Sequence, residues 1–271
     1  SGELKDHQDE SHQEYLVLLE AFQRFLTTYE DSAESWEIME DIITLRASFL
    51  IDQVLAGLQI DFDHALDLLR KHNSFSTERE KQEHDIIVAA IDNLVDFAVA
   101  EEMAMMNELP HEKRTENLEL CKDIFKKYND TYAKQENEDV LYAAIIAAWW
   151  LNLPDNSPVT YMTQGDERVR AWHLSHEGAT YKKNEFPEEL IPPIEWGCRC
   201  FLISGNNPTV MASIAPKAIH INTNPIFKES LAKGGRIFSD AHPYFSYTLK
   251  PQCKMIKQRL KTKFYLDEDN N

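Results

Sequence analysis

From Glu14 to Asn152 apolar residues recur at threes and fours, and at Pro154 the recurrence stops. Nothing else in the chain limits the fold as strongly, because a 3.6-residue period lines one face of a helix and cannot serve a strand, whose faces alternate every second residue. Glu14 to Tyr29 spaces Leu16, Leu19, Phe22 and Phe25 along one face, which is expected to be core. A second pattern runs from Ser35 to about Gln59, long enough to invite a kink or a break near Gly57, and Asp61 to Lys71 reads as a short helix. Thr77 and Glu80 have capping-box spacing and are expected to open a helix over Glu78 to Leu109, closed by Pro110. Further helices are expected over Thr115 to Lys134 and Asn137 to Asn152, and the short polar connections suggest a bundle.

Past Pro154 the pattern changes. Pro154 to Pro158 is a cluster of breakers, and Val159 to Thr163, Arg199 to Ser204 and Ala218 to Asn222 read as short strands. Asn224 to Lys233 and Gln252 to Lys263 read as short helices, and Gly234-Gly235 as a helix C-cap. The expected fold class is α+β, mainly α: an amino-terminal helical bundle over 1–156, then a small α+β domain with short strands over 157–271.

Composition excludes several classes. A 271-residue chain with 43% hydrophobic residues is globular, and no apolar run approaches a membrane span. The polar amino terminus lacks a signal-peptide pattern, so a cytoplasmic location is expected. Four cysteines, Cys121, Cys198, Cys200 and Cys253, make no disulfide framework in a chain this long. The net charge of −18 argues against wrapping the whole surface with nucleic acid. Charge is nonetheless segregated: Pro216 to Phe264 holds ten Lys or Arg against Glu229 and Asp240, about +8, leaving about −26 elsewhere.

Chemistry concentrates between Asp166 and Cys200. In an extended Cys198-Arg199-Cys200 the two sulfurs point to one side, and His173 and His176 lie one helical turn apart. Two nitrogens and two thiolates are the ligand set of a closed zinc site. The alternatives are buried cysteines on a strand, or a redox pair, with histidines that cap or fill the core. Asp166 is expected near the start of a helix, as a cap. Arg168, Arg170 and Arg199 are candidates for an anion clamp, with Arg168 and Arg170 alternatively partners for Asp166, Glu167 or Glu177. Trp172 and Trp196 read as core anchors, and Pro192-Pro193 fixes an extended entry that aims the Cys-Arg-Cys unit.

In order and spacing, Asp166, Arg168, Arg170, His173, Gly178, Pro192, Pro193, Cys198, Arg199 and Cys200 resemble the signature of the phage Mu F-like, or phage head morphogenesis, family of minor capsid proteins. The resemblance covers about Thr160 to Ile203, roughly one-sixth of the chain. His176 falls where relatives usually carry an apolar residue, which favours a site of His173, Cys198 and Cys200 with a different fourth ligand. The resemblance implies a non-enzymatic virion protein acting in head morphogenesis, portal association and DNA packaging or delivery. Expected partners are phage portal or capsid proteins, with DNA a candidate for the basic segment 216–264 and no membrane; the expected location is the virion, or the host cytoplasm during assembly.

Two rival classes remain at this stage. Family members occur joined to toxin domains, so the segment after Ser204 is a candidate effector enzyme of the nuclease or ADP-ribosyltransferase class, with His220, Arg236, Asp240 and His242 as its ionisable groups. No nucleophile motif or nucleotide loop accompanies them. The other rival is a metal-stabilised binding module of a prophage.

Overall fold

The computed structural model describes residues 2–71, 74–111, 114–205 and 223–264. The helical half contains α1 (Gly2–Leu26), α2 (Ala33–Leu58), α3 (Phe62–Arg70), α4 (Glu78–Glu108), α5 (Leu118–Lys126) and α6 (Ala133–Leu151). α2 is the central helix, flanked by α1, α4 and α6. Local chemistry sets the boundaries. Ser32 Oγ accepts the Ser35 N–H at 3.1 Å and starts α2, while Asp61 caps α3 through the His64 N–H at 2.8 Å. Thr77 Oγ1 accepts the Glu80 N–H at 3.1 Å, as the capping box requires, but Glu80 reaches one residue further back, to the Ser76 N–H at 2.9 Å.

Two expectations for this half change, and the break near Gly57 gains a second reason. Phe22 and Phe25 are buried as expected and Leu19 packs against the core, but Leu16 is 42% exposed, and Tyr15 and Leu18 complete the buried face of α1. α2 breaks off one residue after Gly57, at Leu58, as its length suggested, and Gly57 also lies close against α6, where a Cβ would lie 2.5 Å from Ala144 Cβ and 2.8 Å from the Leu141 carbonyl oxygen. Glycine serves close approach here. The expected gap between Lys134 and Asn137 is also absent, because α5 runs into α6 through a π-helical turn over Lys127–Tyr132. That wider turn buries Tyr128, Asn129 and Asp130.

Beyond Pro154 lies an antiparallel sheet of order β2-β1-β3, made of β1 (Pro158–Met162), β2 (Thr180–Lys182) and β3 (Phe201–Ser204). Tyr161 pairs with Leu202, and Thr160 lies between Thr180 and Ile203. β2 escaped sequence reading because three residues are too few to show alternation. A four-residue helix, α7 (Ala171–Leu174), and a final helix, α8 (Pro251–Lys263), complete the fold. Asn224 to Lys233 forms two 3-10 turns in place of one helix, since Asn224 caps the first at Pro225 and Ser230 restarts the second. Gly234 ends the latter in the left-handed conformation, as expected. The expected strand Ala218 to Asn222 lies outside the described residues.

The two parts share one continuous apolar core, which draws on Phe97 and Met105 from α4 and on Phe186, Phe227, Phe238 and Ile256 from beyond Pro154. Asn93, fully buried on α4, accepts the N–H groups of Ile237 and Phe238 at 2.8 and 3.0 Å and donates to the Phe238 carbonyl at 2.9 Å. Several cations of the basic segment pair with carboxylates of the helical half, while Lys254 and Lys263 lie exposed. Arg259 pairs with Glu40 at 2.7 Å, Lys261 with Asp92 and Asp96 at 2.7 and 2.9 Å, Arg236 with Asp96 at 3.3 Å and Lys257 with Asp96 at 3.4 Å. Among the described residues no helix is long and apolar enough to cross a membrane.

Candidate metal centre

The Asp166 to Cys200 stretch closes on itself. Asp166 does not cap α7, which begins after Arg170; its carboxylate instead takes both guanidinium nitrogens of Arg199, at 2.8 and 3.0 Å, and the Arg168 N–H at 3.1 Å. The reason is local: Asp166 lies four positions before Arg170, the extended N-cap residue, and the helix begins only at Ala171, so its oxygens cannot reach the first turn. The Arg199 guanidinium holds the Asp166 carboxyl below its usual range. Arg170 donates to the Trp196 carbonyl at 2.9 Å. Arg170 and Arg199 are thus committed within the fold, and Arg168 is exposed beside Asp166. The three do not converge as an anion clamp.

Behind this clasp, His173, Cys198 and Cys200 are buried, with ligand atoms all within 4.8 Å of one another. His173 Nδ1 lies 3.2 Å from Cys200 Sγ. α7 supplies the histidine, and the turn entering β3 supplies the thiols. Gly178, at φ +81, sends its N–H to the Tyr161 carbonyl at 2.8 Å, a left-handed turn that returns the chain from α7 into β2. Pro192 and Pro193, joined by a cis peptide bond, are buried on the approach to Cys198. His176 is buried near His173 but stays outside the three-residue cluster, and burial together with the neighbouring His173 lowers its pKa.

The helical bundle fixes the thiol turn through two residues that sequence reasoning missed. Asp139 on α6 accepts the Gly197 N–H at 3.1 and 3.2 Å, and one turn along Tyr142 donates its hydroxyl to the Cys200 carbonyl. Burial pushes the Asp139 carboxyl up to about 8, so near neutrality it is mostly protonated and acts as a polar clip more than as a charge. The two residues stand three apart on the face of α6 that turns toward the later segment, and this spacing was the available signal. Asp139→Ala is expected to cost about 1–3 kcal/mol, since the Gly197 N–H loses its acceptor, while Asp139→Asn stays within about 1 kcal/mol. Urea denaturation of both variants checks this; equal losses would count against the clip.

The electronic state of the thiols suits a cation. A hydrogen bond from Cys198 lowers the Cys200 pKa, helped by the nearby Tyr161 hydroxyl and by Arg199 and Arg170. Cys198, as the donor and by burial, is pushed up. Four buried polar atoms make no hydrogen bond of good geometry here: His173 Nε2, His176 Nδ1 and Nε2, and Tyr161 Oη. Orphaned buried donors and acceptors cost about 1–3 kcal/mol each, and a soft divalent cation that recruits such donors offsets that cost. The cluster can therefore hold a metal ion.

Among the described residues, His242, Arg236 and Asp240 are each engaged elsewhere in the fold. His242 is buried among Phe97, Trp196, Phe238 and Tyr244, its Nδ1 accepts the Tyr244 N–H at 3.1 Å, and burial lowers its pKa to about 4. Arg236 faces Asp96, Asp240 pairs with Lys228 at 2.9 Å, and His220 lies outside the described residues.

An uncharacterized protein of Methanocaldococcus jannaschii is 26% identical to this chain over 192 residues, which is 68% of this chain and 28% of that relative. The chain thus spans little more than a quarter of the relative's length. No family model matches the chain, and no solved structure matches it.

Proposed function

We propose that this chain is a non-catalytic head-assembly protein of the phage Mu F-like kind, in which the Asp166 to Cys200 stretch is a zinc-stabilised clasp. One observation carries the reading: the residues of the resemblance close on one another, Asp166 on Arg199, Arg170 on the Trp196 carbonyl and His173 on Cys200, leaving a buried ligand set and not an open cleft. A closed set of nitrogen and sulfur donors is the chemistry of structural zinc, whose role is to add binding free energy to the folded state. His173, Cys198 and Cys200 would hold the ion. The partners are portal or capsid subunits, the site of action is the virion or the host cytoplasm during assembly, and packaged DNA is a further contact for the basic segment.

Two measurements test this. Co-expression with the portal protein encoded in the same source genome is expected to yield a complex that co-elutes; its absence, together with absence of the chain from purified particles, would overturn the assembly role. Elemental analysis of protein purified without chelator is expected to give one zinc per chain, and Cys198→Ser is expected to lose the zinc and lower Tm. A metal-free wild type whose Tm Cys198→Ser leaves unchanged would remove the zinc clasp.

A further inference from the structure

His173, Cys198 and Cys200 supply three donors, one fewer than a closed tetrahedral site needs. We infer that the phenolic oxygen of Tyr161 is the fourth, so that the site is one imidazole, two thiolates and one phenolate around a divalent cation. This rests on the metal reading above.

Register places Tyr161 there. It sits on the central strand opposite Leu202, and Cys200 lies two residues before Leu202 in extended chain, so Tyr161 and Cys200 share a face of the sheet. The side chain is wholly buried, and its hydroxyl, next to the Cys200 thiol, makes no hydrogen bond of good geometry. That hydroxyl lies against Cys200 and within electrostatic reach of Cys198. A buried phenol without a well-made hydrogen bond is an uncommon choice, because burial of a poorly satisfied hydroxyl opposes folding and phenylalanine would fill the same space without that cost.

Two other groups near the thiols are excluded as the fourth donor. Tyr142 already donates its hydroxyl to the Cys200 carbonyl. His176, although both ring nitrogens are orphaned, falls outside the cluster and meets Tyr161 edge-on at 5.9 Å between ring centroids. Coordination releases the phenol proton and the protons carried by the thiols to solvent and leaves three anionic ligands on a dication, a net −1. Positive charge stands beside the site to offset it: Arg199 lies between the two cysteines, and Arg170 reaches the Trp196 carbonyl, two residues before Cys198, at 2.9 Å.

The test uses the full chain, stripped of metal under reducing conditions and titrated with Co2+ and then Zn2+. The wild type is expected to bind one equivalent, to show the intense visible bands of tetrahedral cobalt, and to develop the near-ultraviolet difference band of a bound phenolate. Tyr161→Phe is expected to keep one equivalent, lose the phenolate band, shift the visible bands and bind at least about tenfold more weakly. His176→Gln is expected to leave all spectra as in the wild type. A wild type that binds cobalt without a phenolate band overturns the inference, whatever the affinity of Tyr161→Phe, because a tyrosine that only hydrogen-bonds a thiolate stays protonated. Altered visible bands in His176→Gln with none in Tyr161→Phe overturn it in favour of His176. A wild type that binds neither metal removes the metal reading itself.

Discussion

Arg46→Ala is expected to destabilise the protein by about 3–5 kcal/mol at pH 7, because it strips the counterion from carboxylates that have no access to water. Arg46 is 1% exposed at the centre of the bundle. Its Nε donates to Glu101 on α4 at 2.8 Å, and its two terminal nitrogens donate to Asn137 and Glu136 on α6 at 2.7 and 2.9 Å. Asn137 passes the network on to Ser11 and Glu14 of α1 at 3.0 and 3.2 Å. One guanidinium thus ties four helices in register. Removing a whole buried ion pair for apolar residues can be neutral, but removing one partner leaves Glu101 and Glu136 buried without the guanidinium that binds them.

The size of that loss depends on pH, and its direction follows from the neighbouring carboxyls. Burial raises Glu14 from 4.5 to about 7 and, with the nearby Glu101 charge, raises Glu102 to about 8; Glu136 is also raised, by burial and by Glu101. Each keeps its proton in the folded chain at pH values where the unfolded chain, titrating near 4.5, has lost it. Their contribution to stability is therefore greatest near pH 5 and declines as pH climbs toward 8. In Arg46→Ala the orphaned carboxyls can escape by protonation, so the defect is expected to shrink at pH 5. Urea denaturation at pH 5, 7 and 8 checks both statements; a defect that is constant across this range would show that packing, not charge, is what Arg46 supplies.

The second large effect is expected at Gly57, where glycine to alanine in a helix would ordinarily gain about 1 kcal/mol. Here the sign reverses. A methyl group at this position would overlap Ala144 and the Leu141 carbonyl, and the backbone atom cannot move aside without shifting α6. Gly57→Ala is expected to destabilise, and Gly57→Leu to cost about 2–3 kcal/mol or more through overpacking. Because α6 also carries Asp139 and Tyr142, Gly57→Leu should weaken metal binding at a thiol turn it does not touch. Adding Ala144→Gly is expected to recover part of the loss, which a double-mutant cycle would register as coupling. Independent, additive effects would show that the two helices do not meet at this pair.

Those two sites also show what was readable beforehand. Helix periods came through in the sequence because α2, α4 and α6 each bury a long stripe, and the α+β class follows from the break at Pro154. Arg46 stands in phase with Met39, Ile42, Ile43, Leu50 and Val54, and Glu101 in phase with Ile91, Leu94, Ala98 and Met105. A charge in step with an apolar stripe was a legible sign of a buried network, though not of its partners, which come from other helices. The π-helical turn was not legible, since one extra residue in a turn leaves helical composition unchanged. Of the site, His173, Cys198 and Cys200 were readable from their residue types. Asp139, Tyr142 and Tyr161 were not, because their part depends on where distant segments meet.

The basic helix α8 changes what a chemical partner would encounter. Its Lys257, Arg259 and Lys261 already hold Asp96, Glu40 and Asp92, and Cys253, Ile256 and Leu260 anchor the same helix from below. The helix behaves as a tethered counterion for the acidic bundle. A polyanion seeking those cations competes with carboxylates held at fixed positions on the same molecule, so nucleic acid would bind with a salt dependence far shallower than ten basic residues imply. Charge that is sorted along the chain is recombined in space, and the electrostatics of this protein belong to the fold before they belong to any encounter.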